Sequence, residues 1–202
     1  NVDVIGANAG GSGGAICAAS GSFTMNGGSI TGGSNTGYGG NLYVGANVPV
    51  NMTGVTVRGG SAKNGGNIYA PNDHYGDFKL TDCVIHSGTA TGQGGNLWLG
   101  SAGVTTTTDA EGVETTSSSL ATLTRTKIYG GEAGVGGSVL TTRRLNMIRS
   151  TIGYDLEGNQ AGGVATDRGG NVFVNNAELV VQKESKIGYG SAVDGGNVYV
   201  TG

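Results

Sequence analysis

Two groups of ionisable side chains are the residues of this sequence whose types could support chemistry. The first comprises Asp73, His74, Asp77, Asp82 and His86, and the second comprises Asp155, Glu157, Asp167 and Arg168. Two carboxyl groups about 5–10 Å apart can act as general acid and base, or as acid and nucleophile, in glycoside hydrolysis. Such catalysis requires the members of a group to converge, so the elements that position them decide whether they can react.

A glycine doublet followed by asparagine, an aliphatic residue and an aromatic residue recurs along the chain. Full copies begin at Gly39, Gly65, Gly94, Gly169 and Gly195, and weaker copies begin at Gly13 and Gly136. The spacings are 26, 26, 29, 42, 33 and 26 residues. A basal period of 26 residues with insertions predicts a repeat architecture, in which each unit buries its apolar face against its neighbours.

One unit contains three short alternating segments. In the second unit, Leu42 and Val44 alternate in the first segment, Val50 and Met52 in the second, and Val57 marks the third. Segments this short, rich in β-branched and aromatic residues and joined by Gly and Asn, are typical of strands. The sequence therefore predicts an all-β fold, a single-stranded parallel β-helix of about seven coils with three short strands per coil.

Equivalent positions of the repeat should stack in columns along such a helix. The aliphatic position should face the interior; its members are Ile16, Leu42, Ile68, Leu97, Val139, Val172 and Val198. A branched residue recurs in the third segment; its members are Ile30, Val57, Ile85, Ile128, Ile152 and Ile187. The asparagines are predicted to form a structural amide ladder; its members are Asn41, Asn67, Asn96, Asn171 and Asn197. Stacked coils at the strand spacing allow such a ladder, because each amide lies beside the next.

The aromatic position should lie on the side of the strand opposite the aliphatic column. We call this set the aromatic stripe; its members are Tyr43, Tyr69, Trp98, Phe173 and Tyr199, with Leu140 in the weaker unit. An apolar stripe of this length usually marks a contact. Three interpretations remain open: rings stacked on one another, packing against another domain, subunit or insertion, and a sugar-binding platform. The sequence leaves open whether the stripe is exposed or covered.

The first unit resembles a known family. Gly13-Gly14-Ala15-Ile16 followed by Phe23-Thr24-Met25-Asn26 resembles the GGA[ILV] and FxxN motifs of the chlamydial polymorphic membrane proteins, and the later units resemble repeat tracts of large bacterial surface proteins. Only the first unit carries a complete FxxN. The resemblance implies a right-handed β-helix of the pectin-lyase-like class and a secreted or surface-anchored, non-enzymatic, adhesin-like role.

The chain is predicted to form a single β-helix domain over residues 1–202, with two main departures from the period. A Ser/Thr-rich loop insertion is expected at residues 101–119, either as a solvated loop or as a recognition loop. The coil around residues 154–167 is expected to be lengthened. Loops at the edges of a solenoid are tolerated and can carry function.

Neither ionisable group repeats at one column on adjacent coils, so we expect no enzymatic activity, no catalytic residues, no cofactor and no metal site. No zinc-finger, EF-hand or P-loop spacing occurs. The net charge of −3 gives no reason to expect nucleic acid as a partner. No apolar run approaches the ~20 residues of a spanning helix, so no membrane insertion is expected.

The expected function is that of a non-enzymatic extracellular or cell-surface β-solenoid, structural or adhesive, of a bacterial protein. The expected partners are neighbouring repeats or copies of the same protein, stacked end to end in a fibre, and a host or cell-surface glycan or protein. The alternative is a carbohydrate-binding or polysaccharide-cleaving β-helix module. The absence of an initiator Met fits a processed product or a slice of a longer surface protein.

Overall fold

The strands of this protein form four parallel sheets and one antiparallel hairpin. The structure, a computed structural model, describes residues 2–108 and 110–202, without the side chains of residues 104–107 and 114–118. Within each parallel sheet, a strand pairs with its counterpart from the repeat before and the repeat after. This arrangement is compatible with a parallel β-helix. No helix occurs in the described residues, so none of them forms a helix that could span a membrane.

Sheets 1 and 2 carry the glycine-doublet motif and the segment that follows it. The strands of sheet 1 are Ile16–Ala18, Leu42–Val44, Ile68–Ala70, Leu97–Leu99, Val139–Thr141, Val172–Asn175 and Val198–Thr201. The strands of sheet 2 are Phe23–Asn26, Val50–Thr53, Phe78–Thr81, Leu120–Thr124, Arg144–Ile148 and Leu179–Gln182. The FxxN segment of the first unit therefore occupies the same sheet as the segments that lack this motif.

Sheets 3 and 4 complete each repeat. The strands of sheet 3 are Val2–Ile5, Gly28–Thr31, Thr56–Arg58, Val84–His86, Lys127–Tyr129, Thr151–Ile152 and Lys186–Ile187. The strands of sheet 4 are Asn8–Ala9, Ser34–Asn35, Ser61–Asn64, Thr89–Gln93, Glu132–Val135 and Val164–Arg168.

The prediction of three strands per repeat is wrong by one, because it omitted sheet 4. Four strands of this sheet bury a single alanine each, such as Ala62, which is 4 % exposed, and Ala90, which is 5 % exposed. A strand that contributes one alanine to the interior lacks the alternation of large apolar residues that signals a strand.

The core lies between the sheets and is built from columns of like residues. Leu42, Ile68 and Leu97 are direct neighbours in sheet 1, as the sequence predicted, and all three are fully buried. In sheet 3, Ile85 pairs in register with Val57 on one side and Ile128 on the other. Apolar burial along these columns is the main favourable contribution to stability.

In every doublet but the last, the second glycine lies where the backbones of successive repeats approach one another closely. A Cβ atom on Gly66 would collide with the carbonyl oxygen of Gly95 and with the backbone nitrogen of Thr89. Only glycine fits at such a position, because every other residue places a carbon there.

The insertion at residues 101–119 contains a hairpin, in which Val104–Thr108 pairs with Glu114–Ser118. Asp109 of this insertion lies outside the described residues. The lengthened coil around residues 154–167 includes a turn that Tyr154 and Gln160 close through an antiparallel bridge. The hairpin and this turn both lie between strands of the parallel sheets, so the columns continue past them.

Replacing Gly66 with alanine should lower the free energy of unfolding by about 2–3 kcal/mol, because its Cβ has no space between two backbones. Gly10→Ala is the matched control, since a Cβ at Gly10 meets nothing within 4 Å. Chemical denaturation of both variants measures the difference. Equal stability of the two variants would contradict the close approach described here.

Candidate functional site

The asparagines of the repeat form a chain of side-chain hydrogen bonds through the interior. The Nδ2 of Asn41 donates to the Oδ1 of Asn67 at 2.7 Å, and the Nδ2 of Asn67 donates to the Oδ1 of Asn96 at 2.8 Å. Farther along, Asn171 donates to Asn197 at 3.0 Å. All of these residues except Asn197 are fully buried.

Each interior amide also fixes the corner between sheets 3 and 4. The Oδ1 of Asn67 accepts a second hydrogen bond from the backbone nitrogen of Gly60 at 2.9 Å. Its Nδ2 donates a second bond to the carbonyl oxygen of His86, also at 2.9 Å. Asn67 therefore makes all four hydrogen bonds that a side-chain amide can make, with partners in three repeats.

The ladder is interrupted in the weaker unit. Ser138 occupies the asparagine position between Asn96 and Asn171, and its Oγ is buried without a hydrogen-bond partner among the described residues. The Nδ2 of Asn96 consequently retains only the bond to the carbonyl oxygen of Tyr129, at 2.9 Å. A serine side chain is too short to replace the amide, so the chain of bonds stops here.

The aromatic stripe forms a second apolar cluster outside the main core. Its central members are almost fully buried, with exposed fractions of 9 % for Tyr69, 5 % for Trp98 and 8 % for Phe173. Tyr69 stacks on Trp98 with centroids 4.7 Å apart, and Tyr43 stacks on Tyr69 at 5.9 Å. Because the rings cover one another's faces, those faces cannot stack on a pyranose ring.

Three residues that each directly precede a glycine doublet contact the stripe. The Tyr38 ring contacts Tyr69 with centroids 4.6 Å apart, and the Nε1 of Trp98 donates to the Oε1 of Gln93 at 3.0 Å. At the other end, the guanidinium of Arg168 lies 5.3 Å from the centroid of the Tyr199 ring. Burial raises the pKa of Tyr69 to about 12. The stripe is therefore covered, and only its end members Tyr43 and Tyr199 are half-buried.

Asp77, Asp82 and His86 of the first ionisable group each have a different partner. Asp77 pairs with Lys79 at 2.8 Å, and Asp82 accepts two hydrogen bonds from Arg125, at 2.6 and 2.7 Å. The bond from Arg125 lowers the pKa of Asp82. The ring of His86 stacks on that of Tyr129 with centroids 4.7 Å apart. These side chains do not share one reaction centre.

His74, the remaining histidine, belongs to a buried cluster that the sequence did not reveal. Arg143 is 1 % exposed, and its guanidinium donates to the carbonyl oxygens of Gly76, His74 and Gly100. It also donates to the Nδ1 of His74 at 2.7 Å, which leaves the Nε2 to donate to the carbonyl oxygen of Val48 at 2.8 Å. Burial, followed by the charge of Arg143, lowers the pKa of His74 to about 4.

This cluster joins four successive repeats at the corner between sheets 1 and 2, through Val48, His74, Gly100 and Arg143. It also holds the root of the hairpin, since the backbone nitrogen of Ala102 donates to the carbonyl oxygen of His74 at 3.3 Å. Burial lowers the pKa of Arg143 to about 10, so its guanidinium remains charged at neutral pH. The carbonyl dipoles around it substitute for a carboxylate partner.

The second ionisable group is also divided. Asp155 lies in the lengthened coil, where it accepts hydrogen bonds from the backbone nitrogen and the Nδ2 of Asn159, at 2.7 and 3.0 Å, which lower its pKa. Asp167 lies in sheet 4, where its Oδ1 is 3.6 Å from the Nε of the neighbouring Arg168. Within residues 2–108 and 110–202, no group of three or more His, Cys, Asp or Glu side chains is placed to hold a metal ion.

Comparison with known proteins gives no relative: no family model, no curated protein and no solved structure matches the chain.

Replacing Ser138 with asparagine should restore the ladder. The new amide can accept from Asn96 and donate to Asn171, so we expect the free energy of unfolding to rise by about 1 kcal/mol. The reciprocal variant Asn67→Ser should lower it by about 2–3 kcal/mol, because buried donors and acceptors lose their partners. Thermal and chemical denaturation measure both changes, and a destabilising Ser138→Asn would contradict the continuity of the ladder.

Acidification should destabilise the fold through His74. Its pKa is about 4 in the folded protein and 6.5 in the reference state, so the unfolded chain binds the proton first. The contribution to stability is complete above pH 6.5 and is lost as the pH falls towards 4, amounting to about 3 kcal/mol. Denaturation at a series of pH values should show that His74→Gln, which does not titrate, lacks this component. The prediction would be refuted if the stability of the wild type and that of His74→Gln depended on pH in the same way.

Proposed function

We propose that the chain forms a non-enzymatic extracellular β-solenoid, structural or adhesive, of a bacterial surface or secreted protein. In this proposal the four sheets form a right-handed parallel β-helix of about seven coils. The resemblance of the first unit to the GGA[ILV] and FxxN repeats favours this class and the cell surface as its location.

The contacts that recur in successive repeats all run along one axis, and the proposal rests on this observation. The aliphatic columns, the Asn41–Asn67–Asn96 bonds and the ring stack of Tyr43, Tyr69 and Trp98 all run from one repeat to the next. Repeated residues that bond to one another along an axis stabilise a stiff rod, and they do not build a concave pocket. A rod of this kind suits a spacer or a display element.

The state of the ionisable residues supports a non-enzymatic role. Asp77 and Asp82 form ion pairs with basic side chains, and His74 is buried in the Arg143 cluster. Catalysis of glycoside cleavage needs two carboxyl groups facing one substrate bond. In this structure Asp77, Asp82 and His74 each contact a different partner, and these are Lys79, Arg125 and Arg143.

The proposed partner for the ends of the stack is more of the same architecture. Val181 continues the buried column of Met147 in sheet 2, and Val200 continues that of Val174 in sheet 1. Both are exposed, by 47 % and 59 %. A further strand of the same kind, from neighbouring repeats or from another copy, would cover these side chains and pair with the free strand edge.

The alternative is a carbohydrate-binding or carbohydrate-cleaving module. It is favoured by a cleft on the outside of sheet 3, which is lined by Lys127, Tyr154, Asp155, Glu184 and Lys186. The covered aromatic stripe does not favour it, since the ring faces are used within the stack.

Two measurements test the proposal. Protease added to intact cells that express the natural gene should remove the repeats, and purified protein should release no reducing sugar from a panel of polysaccharides. Protection of the repeats inside intact cells would exclude the surface location. Turnover that is lost in Asp77→Ala or Asp155→Ala, but kept in Asp3→Ala, would establish the enzymatic alternative.

A further inference from the structure

A column of left-handed backbone conformations runs along the corner between sheets 2 and 3. Its members, with φ between +46° and +70°, are Gly27, Gly54, Asp82, Arg125, Arg149 and Lys183. A backbone hydrogen bond joins the last two members, since the nitrogen of Arg149 donates to the carbonyl oxygen of Lys183, and the nitrogen of Arg125 donates to the carbonyl oxygen of Ile148, the residue before Arg149. The same corner is thus built from glycine in two repeats and from charged residues in the next four.

The charged residues adopt this conformation against a steric preference. Glycine enters the left-handed region freely, whereas a Cβ atom makes it unfavourable. The repeat itself shows that glycine suffices here, since Gly27 and Gly54 occupy the same corner. Backbone strain that is retained where an unstrained residue would serve points to a role for the side chains.

Three of the four charged side chains at this corner are cations, and two of them have no carboxylate partner among the described residues. Arg125 is paired with Asp82. Among the described residues, no carboxylate oxygen lies within 4 Å of the side-chain nitrogens of Arg149 or Lys183, in contrast with those of Lys79, Arg144 and Arg168. Two exposed, uncompensated cations therefore lie about one strand spacing apart, ~4.8 Å, on a chain whose net charge is −3.

Two further lysines lie in the strands of sheet 3 that follow this corner. Lys127, Thr151 and Lys186 are successive neighbours in register, and they line the cleft beside the lengthened coil. The Nζ of Lys127 is held by the carbonyl oxygens of Asp155 and Leu156, at 3.3 and 2.9 Å. We call Lys127, Arg149, Lys183 and Lys186 the basic patch.

The floor of the cleft contains an unsatisfied polar group. The Oγ1 of Thr151 is buried between the two lysine positions and has no hydrogen-bond partner among the described residues. Such groups are rare in folded proteins, and each calls for an explanation such as a bound water or ligand.

The other residues that line the cleft favour one class of ligand over another. Asp155 and Glu184 stand beside Lys127 and Lys186, so the cleft offers hydrogen-bond acceptors as well as cations. A nucleic acid presents a uniform row of phosphates, which the two carboxylates would repel. An acidic polysaccharide carries hydroxyl donors for the carboxylates and anionic groups for the cations, and the ring of Tyr154 adds an apolar wall.

We propose that the basic patch binds an acidic polysaccharide, with its carboxylate or sulfate groups on Arg149, Lys183, Lys127 and Lys186 and its hydroxyl groups on Asp155 and Glu184. Such binding would supply the class of ligand for the proposed adhesive function. The binding proposal rests on that proposed function only for its biological setting.

The test is binding of the purified chain to heparin, to polygalacturonate and to neutral dextran, measured by surface plasmon resonance at several salt concentrations. Heparin and polygalacturonate distinguish sulfate from carboxylate recognition. We expect binding to at least one of the two, weakening as salt rises, and no binding to dextran. The double variant Arg149→Gly/Lys183→Gly should bind about tenfold more weakly, yet melt no lower than the wild type, because glycine suits both backbone conformations.

The matched control is Arg58→Gln/Lys63→Gln, which removes two exposed cations outside the patch and should change affinity less than about twofold. Equal weakening by both double variants, no binding to either acidic glycan, or tighter binding to a single-stranded oligonucleotide would each overturn the proposal. These results leave the surface location untouched, since that is measured on intact cells. Conversely, protection of the repeats from protease inside intact cells would exclude the surface location and leave the glycan-binding measurement unaffected.

Discussion

Repeated residues of this protein lie beside their own counterparts in the next repeat, about one strand spacing away, and the other interactions follow from this register. A position that satisfies its neighbours in one repeat can therefore do so in every repeat. Asn67 shows the consequence, since it bonds to Asn41 on one side and to Asn96 on the other while it holds the corner at Gly60. The same closeness excludes a Cβ atom at Gly66 and requires the glycine doublet.

Departures from the repeat occur where they leave the columns intact. The hairpin of residues 104–118 and the turn closed by Tyr154 and Gln160 both leave the solenoid between strands. At the root of the hairpin, a regular corner is replaced by the Arg143 and His74 cluster, whose carbonyl partners come from neighbouring repeats. The corner carrying Arg149 shows another solution, in which the backbone keeps its conformation and the side chain changes.

The columns of sheets 1 and 3 could be predicted from the sequence, because large apolar residues recur at fixed offsets from the glycine doublet. The amide ladder followed from the same register. Sheet 4 was missed, since its buried position holds only an alanine such as Ala62. Arg143 was missed because its partners are carbonyl groups, which every residue has and no sequence pattern marks. The covering of Trp98 depends on Gln93, whose contact requires the bend between sheets 4 and 1.

Hydrogen exchange of asparagine side chains, measured by NMR, reports whether the interior amides bond from one repeat to the next. The Nδ2 protons of Asn67 should exchange orders of magnitude more slowly than those of Asn51, which lies exposed in sheet 2, because both of its donors are bonded and buried. Exchange of the two side chains at similar rates under native conditions would contradict the ladder and, with it, the stacking of the repeats.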